Sequence, residues 1–275
     1  MSSVLHTALS SCRLFWGPLV LLLAVSAAHA GELETLASEA MTLSGTQAML
    51  EGMGAMLEKQ SLKDPRVAKL SNRERAQLLA TLKSTYDGRR MADDLTVLLA
   101  ATHDRERLTA AVAIMREPKF QKLTQVLVAQ ALNTTDQAVL AYAKRFEKTP
   151  PDPARVALIL RLDAATDSAR ILADIRYESI EAMLGDTASA EDRAKFAAMR
   201  EQIETNAKNE FVLRNLHLTR NLDLATLEAY VKAHENEPMG WLSRQLGYGI
   251  QRAIVKATGE MARRMAALAP PTLSQ

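Results

Sequence analysis

Apolar positions recur three or four residues apart from residue 32 almost to the end of the chain, the spacing that one buried helix stripe requires. No stretch shows the period of two expected of a half-buried strand. The spacing predicts helices over 32–44 and 46–60, a loop over 61–70 around Asp64-Pro65, and one long helix over 71–101 broken near Gly88. Helices follow over 104–116, 118–132 and 134–146, with Pro118 at a first-turn position where its missing N–H costs nothing. Lys148-Thr149-Pro150-Pro151-Asp152-Pro153 cannot be helix interior and reads as a hinge. Beyond it, helices are predicted over 154–185, 189–218, 223–237 and 238–268, and 270–275 reads as a loose tail. The fold class that follows is all-α.

The pattern repeats itself at an offset near 120 residues. Ser71-Asn72-Arg73-Glu74 lines up with Ser189-Ala190-Glu191-Asp192, each a serine N-cap followed three residues later by an acidic partner. Thr46-Gln47-Ala48-Met49-Leu50 matches Ser168-Ala169-Arg170-Ile171-Leu172, Leu108 matches Leu227, and Glu117-Pro118 matches Glu237-Pro238. The offsets drift between 118 and 122, as loop insertions would produce. Two tandem, similar helical bundles are therefore expected, over 31–148 and 149–269.

The first thirty residues read differently. They hold no acidic residue and no lysine; Arg13 precedes an apolar run over 14–27, and Ala28-His29-Ala30 is followed by Gly31 and Glu32. This is the layout of a cleavable export signal, with cleavage expected between Ala30 and Gly31. The run, interrupted by Pro18, is shorter than the roughly 20 residues of a spanning helix; retention as an anchor is the alternative. Cys12, the only cysteine, lies inside this segment. Its removal leaves no disulfide, thiolate metal site or cysteine nucleophile, and a chain suited to the periplasm or the exterior.

Composition supports a packed helical chain: 48% hydrophobic, 24% charged and 4% aromatic. The 34 basic side chains nearly balance the 32 acidic ones and are mixed along every segment, which argues against nucleic-acid binding.

Leu43-Ser44-Gly45-Thr46-Gln47-Ala48-Met49-Leu50 and the later run from Leu222 to Gly240 resemble an exported bacterial helical family catalogued as domain of unknown function 2059. Tyr230-Val231 begin the region corresponding to that family's late Phe-Tyr-x-Ser-Pro-x-Gly stretch. Glu237-Pro238-Met239-Gly240 stand where Ser-Pro-x-Gly would be, with Glu237 replacing the serine at a looser spacing. The resemblance implies a periplasmic helical fold and no particular activity.

Candidate chemistry is sparse. The histidines outside the leader, His103, His217 and His234, stand too far apart in sequence for a helical metal pair, so solvated or capping roles are expected, with His234 and Glu237 forming a surface pair. Met41, Met49, Met53 and Met56 have the spacing of a buried stripe and are expected in the core; a copper site of soft thioethers would need solvent access that a core stripe lacks. Tyr230, His234, Trp241 and Tyr248 fall at intervals of four, seven and seven. They read as an interhelical seam, with an aromatic-lined groove for a peptide or apolar ligand as the alternative and the first place to look for binding.

No Gly-x-Ser-x-Gly elbow occurs, and Gly247-Tyr248-Gly249 lacks the strand that a phosphate loop needs. Asp93-Asp94 and Glu191-Asp192 are adjacent residues and so point to different sides of a helix. Arg89-Arg90 and Arg263-Arg264 are expected near helix ends, where cations complement the dipole. No cofactor is expected. The leading expectation is a non-enzymatic periplasmic binding protein whose partner is an envelope protein or an apolar ligand. An envelope enzyme with a carboxylate-based site is one alternative. Another is peripheral membrane contact through 249–268, where Ile250, Ile254, Val255, Met261 and Met265 oppose Arg252, Lys256, Arg263 and Arg264; docking of that helix on its own bundle is favoured over it.

Overall fold

The computed structural model describes residues 31–185 and 188–268. Residues 1–30, over which the export signal is expected, Ala30 of the expected cleavage site among them, and the residues after 268 lie outside the described residues; Gly31 is the first within them. Among the described residues the fold is all-α, without strands.

Helix α1 covers 31–43 and buries Ala37, Ala40 and Met41. Gly45, at φ 74, turns the chain into α2 (Thr46–Ser61). The predicted loop over 61–70 contains one helical turn, α3 (Pro65–Ala68), because the Asp64 carboxylate caps Arg66 N–H and Pro65 pre-sets the first turn. The long helix expected over 71–101 is two: α4 (Asn72–Thr85), opened by a full Ser71–Glu74 capping box, and α5 (Gly88–Ala100), capped by Asp87. The break lets Gly88 lie against α2, where a Cβ would stand 1.9 Å from the Leu50 carbonyl oxygen. Next come α6 (Arg105–Met115), α7 (Pro118–Asn133), α8 (Asp136–Ala143) and a 3₁₀ turn, Lys144–Glu147, closing what was read as a single helix.

After the proline-rich loop, the helix expected over 154–185 is also two, α9 (Pro153–Thr166) and α10 (Ser168–Leu184), separated by Asp167 at φ 56. Similarly, 189–218 divides into α11 (Ala190–Ala197) and α12 (Arg200–Leu218). Helices α13 (Leu224–Glu235) and α14 (Glu237–Leu268) complete the chain.

Arg89 and Arg90 do lie near a helix end, but at the N-terminus of α5, where the dipole disfavours cations. Arg90 instead donates to the Thr85 carbonyl and faces Glu260 at 3.9 Å.

Three apolar clusters form the interior. The largest joins Leu50, Leu95, Leu108, Val112 and Met115 to Trp241, Leu242 and Leu246 of α14. The second gathers Leu158, Ile159, Leu162, Leu216, Leu227 and Val231. The third holds Ala173, Phe196, Ile203 and Ala207. Thus α14 packs into the first cluster while lying along α10, where Gln251 donates to Glu178 and a Cβ on Gly247 would collide with Ile171. Ile250 of its apolar side is turned to this interior, as is Ala257, whereas Met265 near its end is exposed. No helix among the described residues is long and apolar enough to cross a membrane.

Candidate functional site

The four seam residues do not line one groove. Tyr230 and His234 lie one turn apart on α13, with ring centroids 4.4 Å apart; Phe120 of α7 stacks on Tyr230 at 5.7 Å and meets His234 at a tilt at 5.8 Å. Tyr230 touches both the first and second clusters, and burial pushes its hydroxyl up to about 12. Trp241 is buried in the first cluster. Tyr248 faces elsewhere: its hydroxyl donates to Asp167 at 3.2 Å and accepts from Arg170, whose guanidinium lies over the ring. The interval of seven keeps Trp241 and Tyr248 on one side of α14, but that side passes from the core to the helix turn at Asp167.

The histidines also depart from expectation. His103 is exposed in the turn after α5, but His217 and His234 are both only 8% exposed. His217 packs edge-on against Tyr142. The expected His234–Glu237 surface pair does not form, because α13 ends at Glu235 and α14 starts in a new direction; Glu237 instead faces Arg107 at 3.1 Å.

The methionines divide similarly. Met41 is buried and Met53 half-buried, whereas Met49 and Met56 are 39% and 41% exposed. The main buried contacts of α2 come instead from Thr46 and Leu50.

His234 opens onto a cavity of about 390 Å³ where α9, α13 and α14 meet, lined also by Arg161, Ala165, Glu235, Gly240 and Arg244. Its geometry fixes the imidazole. Nδ1 lies 2.9 Å from the Tyr230 carbonyl oxygen, which can only accept, so Nδ1 carries the proton and Nε2 keeps a free lone pair. Burial lowers the pKa below the ordinary histidine value and favours this neutral form. No second hydrogen bond to the His234 ring is present among the described residues.

Two guanidiniums border the same space, each held from behind. Arg161 is gripped at 2.8 and 2.7 Å by both carboxylate oxygens of Glu235, and Arg244 donates to the Ala165 carbonyl at 2.7 Å. The hydrogen bond from Arg161 holds the Glu235 carboxyl below its ordinary range, so it stays ionised. The lining therefore combines two positioned donors with the acceptors of His234, Glu235 and Glu237.

Among the described residues, no aspartate or glutamate is buried, and the one carboxyl displaced upward by desolvation is Asp174, beside Arg200 between α10 and α12. No group of three or more histidine, aspartate, glutamate or cysteine side chains is placed to hold a metal ion among the described residues.

Sequence spacing picked out His234 but missed Phe120, Arg161 and Arg244. A usable signal was present: the repeat offset carries Glu39 onto Arg161 and, further along, Arg116 onto Glu235. Glu39 and Arg116 form the same bidentate pair with its charges exchanged, at 2.7 Å for both contacts.

Comparison with protein-family models, curated proteins and solved structures finds no match to this chain.

Proposed function

We propose that this chain is an exported helical protein of the bacterial cell envelope that binds a small polar molecule in the cavity beside His234. One observation carries the reading: His234, whose neutral imidazole has no hydrogen bond at Nε2, belongs to the lining of a cavity edged by two anchored guanidiniums. With Nδ1 holding the proton, Nε2 is an acceptor to which a ligand hydroxyl or N–H can donate. The guanidiniums suit a carboxylate on the same molecule. A small hydroxy- or amino-carboxylate meets both requirements.

The leader pattern and the resemblance at Leu43–Leu50 and Leu222–Gly240 support the envelope location. The architecture belongs to the same reading: two related bundles derived from one duplicated unit. Several pairs of local structures support duplication. Gly45 and Asp167, both at positive φ, precede α2 and α10, and each is flanked by a hydroxyl pair, Ser44–Thr46 at 2.8 Å and Thr166–Ser168 at 2.7 Å. Ser71 and Ser189 cap α4 and α11, while Asp104 and Asp223 cap α6 and α13.

Nitrogen-detected NMR on the imidazole tests binding. Titration with a panel of small hydroxy- and amino-carboxylates should move the His234 Nε2 resonance, and Arg244→Gln should weaken the response at least tenfold. No shift with any panel member would defeat the ligand assignment. Export has a separate test: the protein recovered from the envelope should begin at Gly31.

A further inference from the structure

We propose that α4 and the turn that joins α2 to it form a docking surface for an anionic lipid membrane. Charge is divided unevenly over the chain. Residues 58–90 carry nine basic and four acidic side chains, and the last turns of α14, 256–268, add three basic and one acidic. Those turns lie beside α4, where Arg264 donates to Ser84 and the Tyr86 and Thr258 hydroxyls meet at 2.8 Å. The rest of the chain from Gly31 onward has the opposite sign, with 21 basic and 27 acidic residues. A nearly neutral chain is thereby given one cationic corner, distinct from the His234 cavity at the start of α14.

Most carboxylates of this corner already have partners. Asp64 caps α3 and pairs with Arg66, Glu74 closes the capping box with Ser71, Asp87 caps α5, and Glu260 faces both Arg90 and Arg264. The cations are left over. Lys59, Lys63, Lys69, Arg73, Lys83 and Arg89 are exposed, and none of them makes an ion pair among the described residues. Phosphates arriving from outside would meet these six first.

The apolar residues among them select lipid. Leu62, the C-cap of α2, is 50% exposed between Lys59 and Lys63, and Pro65 and Ala68 of α3 are exposed beside it. At a bilayer such a turn lowers its leucine to the boundary of headgroups and acyl chains, while the lysine stems keep their ammonium groups at the phosphates. Cations spread along a turn and a helix match a sheet of anionic headgroups, which requires no pocket. The turn is held in shape beforehand, because Arg75 donates to the Ala68 and Leu70 carbonyls. No aromatic side chain occurs from Lys59 to Thr85, so the stacking platform of a single-stranded nucleic-acid site is missing.

The test is flotation of the protein recovered from the envelope with vesicles of mixed phosphatidylglycerol and phosphatidylcholine. It should float with these at low salt, lose at least tenfold in affinity at about 0.5 M salt, and stay behind with phosphatidylcholine alone. The variant Lys59→Gln/Lys63→Gln/Lys69→Gln/Arg73→Gln should bind at least tenfold more weakly with unchanged helical circular dichroism. Lys119→Gln/Lys122→Gln/Lys144→Gln/Lys148→Gln, which removes as many exposed cations from α7 and the stretch after α8, should bind as the parent does. Leu62→Trp gives a second readout that keeps every charge: its emission should shift to the blue with the anionic vesicles only. No binding by the parent, equal binding to both vesicle types, or equal loss in the two lysine variants would overturn the assignment. So would tighter binding to a duplex oligonucleotide than to the anionic vesicles, which would give the corner to nucleic acid.

Discussion

His234 shows how one residue can be read correctly for position and wrongly for environment. Its place in the seam follows from spacing, but burial depends on Phe120, more than a hundred residues earlier, which no local pattern brings near. The consequence is a pH dependence. An imidazole with a lower pKa folded than unfolded has no effect above about pH 6.5, where both states are neutral. Below that, the unfolded chain takes up the proton first, and stability falls until the folded-state pKa is passed. Burial lowers both His234 and His217. Urea unfolding should therefore show a decline in stability from pH 7 to pH 5. His234→Gln should flatten it in part, leaving the His217 share; identical slopes would contradict the burial. Gly88 is a second residue whose role appears only in three dimensions. Gly88→Ala should destabilise by about 3 kcal/mol, measured by the same method, because the obstacle is the Leu50 backbone rather than a movable side chain.

Helix starts were the most legible elements, since their determinants are local. Ser71, Asp104, Ser189 and Asp223 each precede a helix and each accept a hydrogen bond from its first turn. Ser71→Ala and Ser189→Ala should each cost about 1 kcal/mol in thermal or urea unfolding. Interior breaks were illegible where no glycine or proline marks them. Asp167 adopts a left-handed conformation that aspartate tolerates, and Met199 opens α12 without a cap side chain directly after Ala198 closes α11. In the methionine stripe of α2, Met53 packs against the first cluster as its period predicts, but Met49 and Met56 are exposed: helical spacing says which residues share a side, not whether a neighbour covers it. Two contacts between elements follow from the proposed duplication. Glu39–Arg116 and Arg161–Glu235 are mirror-charge versions of one α1–α6 or α9–α13 link. Arg116→Glu should weaken the protein slightly, and adding Glu39→Arg should restore it; a double variant no better than the single would count against equivalence.

At the scale of the molecule, the account rests on α14. The all-α class was evident from period and composition, but nothing local revealed that the last helix completes the first core. Trp241, Leu242 and Leu246 pack with Leu95, Leu108 and Met115, and Tyr86 shares a 2.8 Å hydrogen bond with Thr258. Glu237 and Arg264 add polar links to Arg107 and Ser84. A helix shared in this way makes the halves interdependent, so the His234 cavity, at the start of α14, is braced from both sides. Native-state hydrogen exchange on Leu227→Ala is the most direct test. Leu227 is fully buried in the second cluster, and its truncation should cost about 2–5 kcal/mol. Protection should fall together in α13 and in α6, which belongs to the other half. Loss confined to α9, α12 and α13, with α6 as protected as in the parent, would contradict a single structure joined through α14.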